Sequence, residues 1–226
     1  MTAIVLQARL DSSRLPDKAL LPLGKKPMIF RVMEALALIP VDTKILACPE
    51  DSTSVFSPIA QEAGFSLVAG PKEDVLARYC LAINHSGADR IFRATGDNPF
   101  VFKDAAEAIN EQAVLFKADY SAYYCLPYGA GVESINSEAL LQAEREAQTL
   151  YERENVCPYL YEHPLLFRLH RPIAPPDWQG MDMRITVDTE EDYQRAITLY
   201  KALSGLSPSE RSQGIAVISA YRSCDL

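Results

Sequence analysis

Through its first half the sequence alternates short apolar runs with stretches of helical spacing, and that alternation leaves few folds open. AIVLQA (3–8) reads as a buried strand, and PMIFRVMEALAL (27–38) as a helix with Pro27 in its first turn. TKILAC (43–48) is a second strand, followed by DSTSVFSPIAQEAG (51–64), a helix that Asp51 or Ser52 would cap. FSLVAG (65–70) gives a third strand and EDVLARYCLAINHSG (73–87) a helix with glycine just past its end. ADRIFRATGD (88–97) and KDAAEAINEQAVLFK (103–117) repeat the unit a fourth time. Strand–helix–strand units of this length imply right-handed crossovers and a mostly parallel, Rossmann-like sheet with helices on both faces, an α/β fold.

The second half is less regular. DYSAYY (119–124) reads as a strand and LPYGAGVESI (126–135) as a loop running into another. SEALLQAEREA and LYERENVCPYLYEH have helical spacing. FRLHRPI and MRITVD read as extended, separated by the proline-rich APPDWQG. TEEDYQRAITLYKAL and SPSERSQGIAVISAYR close the chain as helices. No repeat or long linker divides the chain, so one domain over 1–226 is expected.

Composition narrows what such a domain does. A formal net charge of −8 argues against a non-specific grip on nucleic acid or anionic membrane. The five cysteines are widely spaced, form no CxxC pair, and stand apart from the three histidines, so no zinc pattern arises and a reduced, cytoplasmic protein is expected. No run approaches the roughly 20 apolar residues of a membrane span.

Against this acidic background, QARLDSSRLPDKALLPLGKKP (7–27) gathers Arg9, Arg14, Lys18, Lys25 and Lys26 just past the first strand. A loop of about 18 residues there is long where 2–6 is usual. Arginine forks, a compact lysine charge, Ser12, Ser13 and free backbone N–H groups are what a triphosphate needs; a solvated basic loop is the alternative. Neither GxxxxGK[ST] nor GxGxxG occurs.

In open α/β sheets ligands sit beyond the carboxyl ends of the strands. Asp97, in ATGDNPF, and Asp188, in RITVDTEED, both follow apolar strand-like runs. Two carboxylates suit Mg2+, which takes one or two of them together with phosphate oxygens and water. Asp97 as a turn residue and Asp188 as a helix cap are the competing readings, although Thr189 serves equally as that cap. Arg93 and Arg184 lie inside the same two runs, to pair with those carboxylates or to bind an anionic acceptor. Tyr128 and Glu133, beside Gly129 and Gly131, form either a sugar-facing loop or an ordinary turn. Tyr151, Arg153, Glu154 and Asn155 reach an acceptor, or belong to a helix that is core or dimer contact.

The stretch ARLDSSRLPDKALLPLGKKPMIFRV resembles the opening motif of the cytidylyltransferases that make CMP-activated sugars, the CMP-KDO and acylneuraminate synthetases. EDVLARY, RATGDNPF, YERENVCPYLY and RITVDTEEDY place the resemblance nearest the branch of spore-coat polysaccharide biosynthesis protein F. It runs from Ala3 to about Tyr200. Asp17 stands where the motif has glycine, Asn155 where that branch has histidine, and Thr95 where related enzymes have glutamine.

The resemblance implies the nucleotide-diphospho-sugar transferase fold, with residues 1–117 as the nucleotide-binding half and 118–226 as the acceptor-binding and metal-completing half. It implies CTP and a sugar-like acceptor as substrates, Mg2+ as cofactor and a homodimer. Leu6, Ala8, Arg9, Ser13, Lys18, Asp74 and Thr95 would line the nucleotide. Arg9, Arg14, Lys18 and Asp97 would carry catalysis, and Asp97 with Asp188 the metal. The acceptor would meet Tyr128, Glu133, Arg153, Glu154, Asn155 and Arg184. Two rivals fit the same residues: a glycosyltransferase of the same fold using a nucleotide sugar, though no DxD pair stands near the fourth strand, and a non-catalytic nucleotide-binding subunit.

Overall fold

Ile4 and Leu6 pack into one apolar layer and Ala3 and Val5 into another, and all four are fully buried. A strand covered on both faces has no polar side to show, which is why the sequence gives a continuous apolar run rather than alternation. The computed structural model describes residues 1–224 and 226. Its strands are β1 (Thr2–Gln7), β2 (Pro22–Leu23), β3 (Lys26–Pro27), β4 (Thr43–Pro49), β5 (Ser66–Gly70), β6 (Arg90–Thr95), β7 (Tyr120–Ser121), β8 (Glu133–Asn136) and β9 (Leu169–His170). Its α-helices are α1 (Met28–Leu36), α2 (Thr53–Glu62), α3 (Val75–Ser86), α4 (Lys103–Leu115), α5 (Ser137–Glu146), α6 (Leu150–Asn155), α7 (Pro158–Glu162), α8 (Glu190–Leu203), α9 (Pro208–Arg211) and α10 (Gly214–Ser223).

The central sheet has seven strands in the order β5-β4-β1-β6-β8-β7-β9, while β2 and β3 pair separately. β5, β4, β1 and β6 are parallel, β8 runs antiparallel to both neighbours, and β9 is parallel to β7. The chain moves outward from β1 through β4 to β5 and then crosses to the other side of β1 as β6. The strand order reverses there, so the crevice opens past Gln7 and Thr95. α3 and α5 pack on the face reached by Ala3, Val5, Ile91 and Ile135. α1, α2 and the Ala106 turn of α4 cover the face of Ile4, Leu6, Phe92 and Ala94. α8 and α10 close a third cluster over Phe102, Ala130, Ile185 and Val187. Among the described residues, no helix is long and apolar enough to cross a membrane.

Several boundaries follow local chemistry. Asp74 accepts the Ala77 N–H at 2.9 Å and starts α3, and Gly87, in the left-handed region at φ 64°, ends it. Asp51 and Ser52 do not cap α2. A short 3-10 turn over Glu50–Ser52 leads into it, and Asp51 accepts the Ser52 hydroxyl instead. LYERENVCPYLYEH is two helices rather than one, because Pro158 has no N–H for the ladder and restarts it at a first turn.

The largest departure is MRITVD, which is extended but not a strand of the sheet. Tyr128 and Arg184 form one isolated parallel bridge. The Tyr128 carbonyl takes the N–H groups of both Ile185 and Thr186, and Val187 N–H goes to the Asp97 carbonyl at 2.9 Å. With its backbone bonds spent on a loop and a turn, the segment has no ladder to join. DYSAYY and FRLHRPI contribute only the two-residue strands β7 and β9.

Candidate active site

Position β1 past its end, and the chain enters the cationic loop; position β6 past its end, and Gly96 brings Asp97 against the same place. A Cβ on Gly96 would lie 2.9 Å from Ala8 Cβ and 3.1 Å from the Gln7 carbonyl, so only glycine lets this turn pack so close to β1. Gly96 N–H donates to that carbonyl at 2.8 Å. Asp188 arrives from the extended segment before α8. Thr189 and Asp192 form a reciprocal capping box there, so Thr189 caps the helix and the Asp188 side chain faces the crevice.

Lys18 sits where these pieces meet. Its ammonium donates to Asp97 Oδ2 at 3.1 Å, Asp188 Oδ1 at 2.8 Å and the Val187 carbonyl at 2.9 Å. Arg14 reaches Asp188 Oδ1 at 3.1 Å, and Arg184 reaches Oδ2 at 2.7 Å. Burial pushes the Asp188 carboxyl up, but Lys18, Arg14 and Arg184 outweigh it and hold the group below the ordinary carboxylate range. Arg184 also binds Asp192, at 2.9 Å through Nε. Asp192 further accepts the backbone N–H groups of Asp188 and Thr189 and the Arg195 guanidinium, and it too is held low against its burial.

The crevice, about 260 Å3, is lined by Gln7, Ala8, Arg9, Ser12, Ser13, Arg14, Lys18, Ala19, Val75, Arg93, Gly96, Asp97, Glu154, Asn155 and Asp188. Over the whole lining four cations, Arg9, Arg14, Lys18 and Arg93, stand against three carboxylates, Asp97, Glu154 and Asp188, a balance that suits an anionic ligand. Arg9 faces Glu154 across it at 4.0 Å. A second cavity of about 320 Å3 lies beside it, with walls from Thr95, Asn98, Tyr120, Tyr123, Tyr124, Tyr128, Glu133 and Arg171. Arg93 lines both.

The structure places the expected site residues unevenly. Ala8, Arg9, Ser13, Arg14, Lys18, Asp97 and Asp188 share the crevice. Leu6 does not reach it, because its side chain is fully buried in the core layer under α1. Asp74 is also withdrawn: besides capping α3 it holds Arg153 Nε at 2.6 Å. Arg153 is correspondingly spent, with Nη1 on the Glu144 and Ala147 carbonyls and Nη2 on Glu144 Oε1. Those two residues tie α6 to α3 and α5, and neither lines the crevice or the second cavity. Thr95 faces the second cavity rather than the crevice past β1 and accepts from Asn98 at 2.8 Å. Glu154 and Asn155 show the reverse displacement and line the crevice with Arg9, Arg14 and Lys18. Tyr128 and Glu133 line the second cavity, while Arg184 stands behind Tyr128, its guanidinium 4.9 Å from the ring centroid.

Three features escaped the sequence. Arg78 is fully buried, donating to the Pro71 and Lys72 carbonyls and, at 3.1 Å, to Gln7 Oε1, so it fixes the wall past β1. Lys72 bonds Asp11 at 2.6 Å and Asp51 at 3.1 Å, fastening the cationic loop from outside. Tyr120 donates to Glu133 at 2.7 Å. A charged residue inside an apolar helix pattern was the one visible signal, and it marked Arg78.

Asp17 occupies the motif's glycine position in the left-handed region, φ 52° and ψ 26°. Aspartate is among the few non-glycine residues that tolerate it. The residue is exposed and lies outside the crevice lining, away from Lys18's carboxylate partners.

A strand-order reversal that collects cations over a carboxylate pair, with a second cavity alongside, describes a nucleotidyltransferase. The chain belongs to the cytidylyltransferase family, whose model matches residues 3–212. Spore coat polysaccharide biosynthesis protein SpsF of Bacillus subtilis (strain 168) is 30% identical over 204 residues, 87% of this chain and 85% of its own length. A cytidylyltransferase from Leptospira borgpetersenii serovar Hardjo-bovis superposes with a TM-score of 0.88 at 24% identity, covering 98% of this chain and 94% of that one. A CMP:2-keto-3-deoxy-manno-octonic acid synthetase complexed with CTP superposes at 0.71 and 17% identity, covering 91% and 99%. At those identities the two structures speak for the fold.

Proposed function

We propose that the protein transfers CMP from CTP to a sugar or sugar-like acceptor, with Mg2+ and release of pyrophosphate, for a polysaccharide or glycoconjugate. The observation that carries this reading is the single ammonium of Lys18 on both Asp97 and Asp188, at the head of a crevice that also collects Arg9 and Arg14. Support comes from the family, from a relative named for polysaccharide biosynthesis and from a CTP-bound synthetase of the same fold.

The donor set fits Mg2+. Two hard carboxylates stand together, and among the described residues no cluster of three or more His, Cys, Asp or Glu would form a cage without substrate. Asp97 and Asp188 would hold the ion, and its chemistry there is neutralisation of phosphate charge. Arg9, Arg14 and Lys18 orient and neutralise the triphosphate, Ala8 and Val75 flank the nucleoside, and the acceptor takes the second cavity. An acceptor oxygen bonds to the α-phosphorus while the α–β bridging P–O bond breaks. Its electron pair leaves with pyrophosphate, and the acceptor hydroxyl proton passes to water. Such chemistry is positioning and charge neutralisation, which needs no covalent nucleophile. On this reading residues 1–117 hold the nucleotide, and 118–226 supply the acceptor side and Asp188. The enzyme works as a homodimer, for which exposed Leu150 and Tyr151 are available contacts and sedimentation is the check.

The test is thermal stabilisation by CTP, UTP, GTP and ATP, each with and without Mg2+. A ligand at 100 times its dissociation constant adds about 2.7 kcal/mol. A shift selective for CTP and enlarged by Mg2+ is expected. A shift with another triphosphate keeps the reaction and changes the base. A shift with nucleotide sugars alone would mean a glycosyltransferase, and CTP binding without pyrophosphate release across an acceptor panel a non-catalytic subunit.

A further inference from the structure

Among the described residues, Arg93 is the one shared by the linings of the nucleotide crevice and the second cavity. Its place follows from strand register. β6 and β8 pair antiparallel with Arg93 directly opposite Glu133, so the two side chains are cross-strand neighbours. Arg93 Nη1 donates to Glu133 Oε2 at 2.7 Å. Glu133 is saturated from its other sides, with Tyr120 on Oε1 at 2.7 Å and the Cys157 thiol on Oε2 at 3.4 Å. The Tyr79 ring lies under the guanidinium, 5.9 Å to its centroid.

The rest of the fork is underused. Nη2 makes one long contact, 3.5 Å to the Asn155 carbonyl. Nε is buried and has no hydrogen-bond partner among the described residues. A buried guanidinium ordinarily has its donors engaged, because an unsatisfied buried donor is costly. Nη2, at the exposed end of the fork, is the donor that an oxygen supplied by a substrate can reach, whereas Nε is wholly covered.

Which oxygen is decided by where the cavities meet. If the nucleotide fills one and the acceptor the other, the bond between them forms at their common wall, and that wall is Arg93. We propose that Arg93 is a catalytic residue that donates from Nη2 to a non-bridging oxygen of the α-phosphate, with Glu133 fixing the fork and cancelling part of its charge. This rests on the function proposed above and adds a residue to it. Arg14 and Lys18 stand at the Asp97–Asp188 end, so the phosphate chain would run from Arg93 towards them.

The experiment needs no acceptor. Binding of cytidine, CMP and CTP is measured by calorimetry for the wild type and for Arg93→Lys, Arg93→Met and Glu133→Gln, with melting temperature as the check on folding. A charge-assisted bond to the α-phosphate predicts that Arg93→Met weakens CMP and CTP by the same factor, about tenfold or more, and leaves cytidine unchanged. Arg93→Lys, which keeps the charge and loses the planar fork, shows a smaller loss of the same pattern and decides the matter if the methionine variant does not fold. Glu133→Gln leaves CMP and CTP binding equal or tighter. Unchanged CMP affinity in a folded Arg93 variant, or a loss confined to CTP, would overturn the assignment while the proposed function stands. A wild type that binds neither CMP nor CTP would overturn both.

Discussion

Val187 donates its backbone N–H to the Asp97 carbonyl at 2.9 Å, so the turn that ends β6 and the segment that leads into α8 are joined at the carboxylates themselves. Lys18 then bonds both side chains and the Val187 carbonyl. The separation of Asp97 and Asp188 is set by main chain first and by charge second. Substitutions at the two acids should consequently change chemistry more than architecture.

Asp97→Asn and Asp188→Asn are expected to keep a thermal shift with CTP alone and to lose the increment that Mg2+ adds. The amide retains the shape but offers the ion a weaker ligand. Fluorimetric melting with and without Mg2+ reads this directly. A full Mg2+ increment in both variants would remove these residues from the metal site.

Arg153→Met should destabilise without touching nucleotide affinity, since its donors serve Asp74 and Glu144 and the ends of neighbouring helices. The expected loss is about 1–2 kcal/mol, discounted because both ion-pair partners are partly solvated. Urea unfolding measures it. A stable variant with impaired turnover would return Arg153 to the acceptor side.

The acid limb of stability should depend on Asp192. Asp192, Asp188 and Glu133 are each held below the ordinary carboxylate range in the folded protein, against burial that pushes the other way. Between the folded and unfolded values the unfolded chain binds more protons, so their contribution is present above about pH 5 and drains away as pH falls through about 4 and lower. Asp192→Asn lowers stability at neutral pH and flattens this limb. Denaturation midpoints from pH 7 down to 3 show whether the wild-type and variant curves converge as expected.

Gly129→Ala is predicted to cost about 1–3 kcal/mol. The glycine is at φ 99°, and a Cβ would come within 2.6 Å of the Thr186 backbone nitrogen. The same substitution forces the Tyr128 loop off the segment bearing Asp188, so the Mg2+-dependent part of the CTP shift should fall with the melting temperature.

Asp17→Gly should be nearly silent, within about 1 kcal/mol, because glycine relieves the left-handed backbone but loosens the unfolded chain. CTP affinity should not change, since the Asp17 side chain stays outside the crevice. A marked gain in affinity would show that this carboxylate repels the triphosphate after all.

The sequence made the parallel half of the sheet legible because β1 and β4 are buried on both faces and so read as apolar runs, while β6, RIFRAT, keeps its apolar residues between arginines and is marked by the TGD turn at its end. β7 and β9 are two residues long, too short for any period, and the reversal of β8 depends on the loop before it. MRITVD misled because extended backbone and apolar composition accompany a strand without requiring one. At the site, the strand-end rule brought Arg14, Lys18, Asp97 and Asp188 together in advance. Asp74, which the resemblance put beside the nucleotide, and Arg153, read from a helical stretch, meet instead as a pair that joins distant parts of the chain through side chains alone. The Arg93–Glu133 contact was hidden for the same reason, since cross-strand register is not written in either strand.

The reversed direction of β8 has an evolutionary corollary. Because β8 starts beside the end of β6, the connection across residues 122–132 opens at the same rim as the cationic loop, yet it belongs to a separate stretch of chain. Its anchors lie outside β1, β4 and β6: backbone bonds join Ala122, Tyr124, Cys125, Tyr128 and Ala130 to His170, Pro172, Ala174, Gly180, the 183–186 segment and Phe102, and Gly129 presses against Thr186. The residues on either side can lengthen, shorten or exchange side chains while β1, β4 and β6 stay as they are. A lineage built on this plan can try new partner molecules by rewriting one connection and inherit its nucleotide chemistry unaltered.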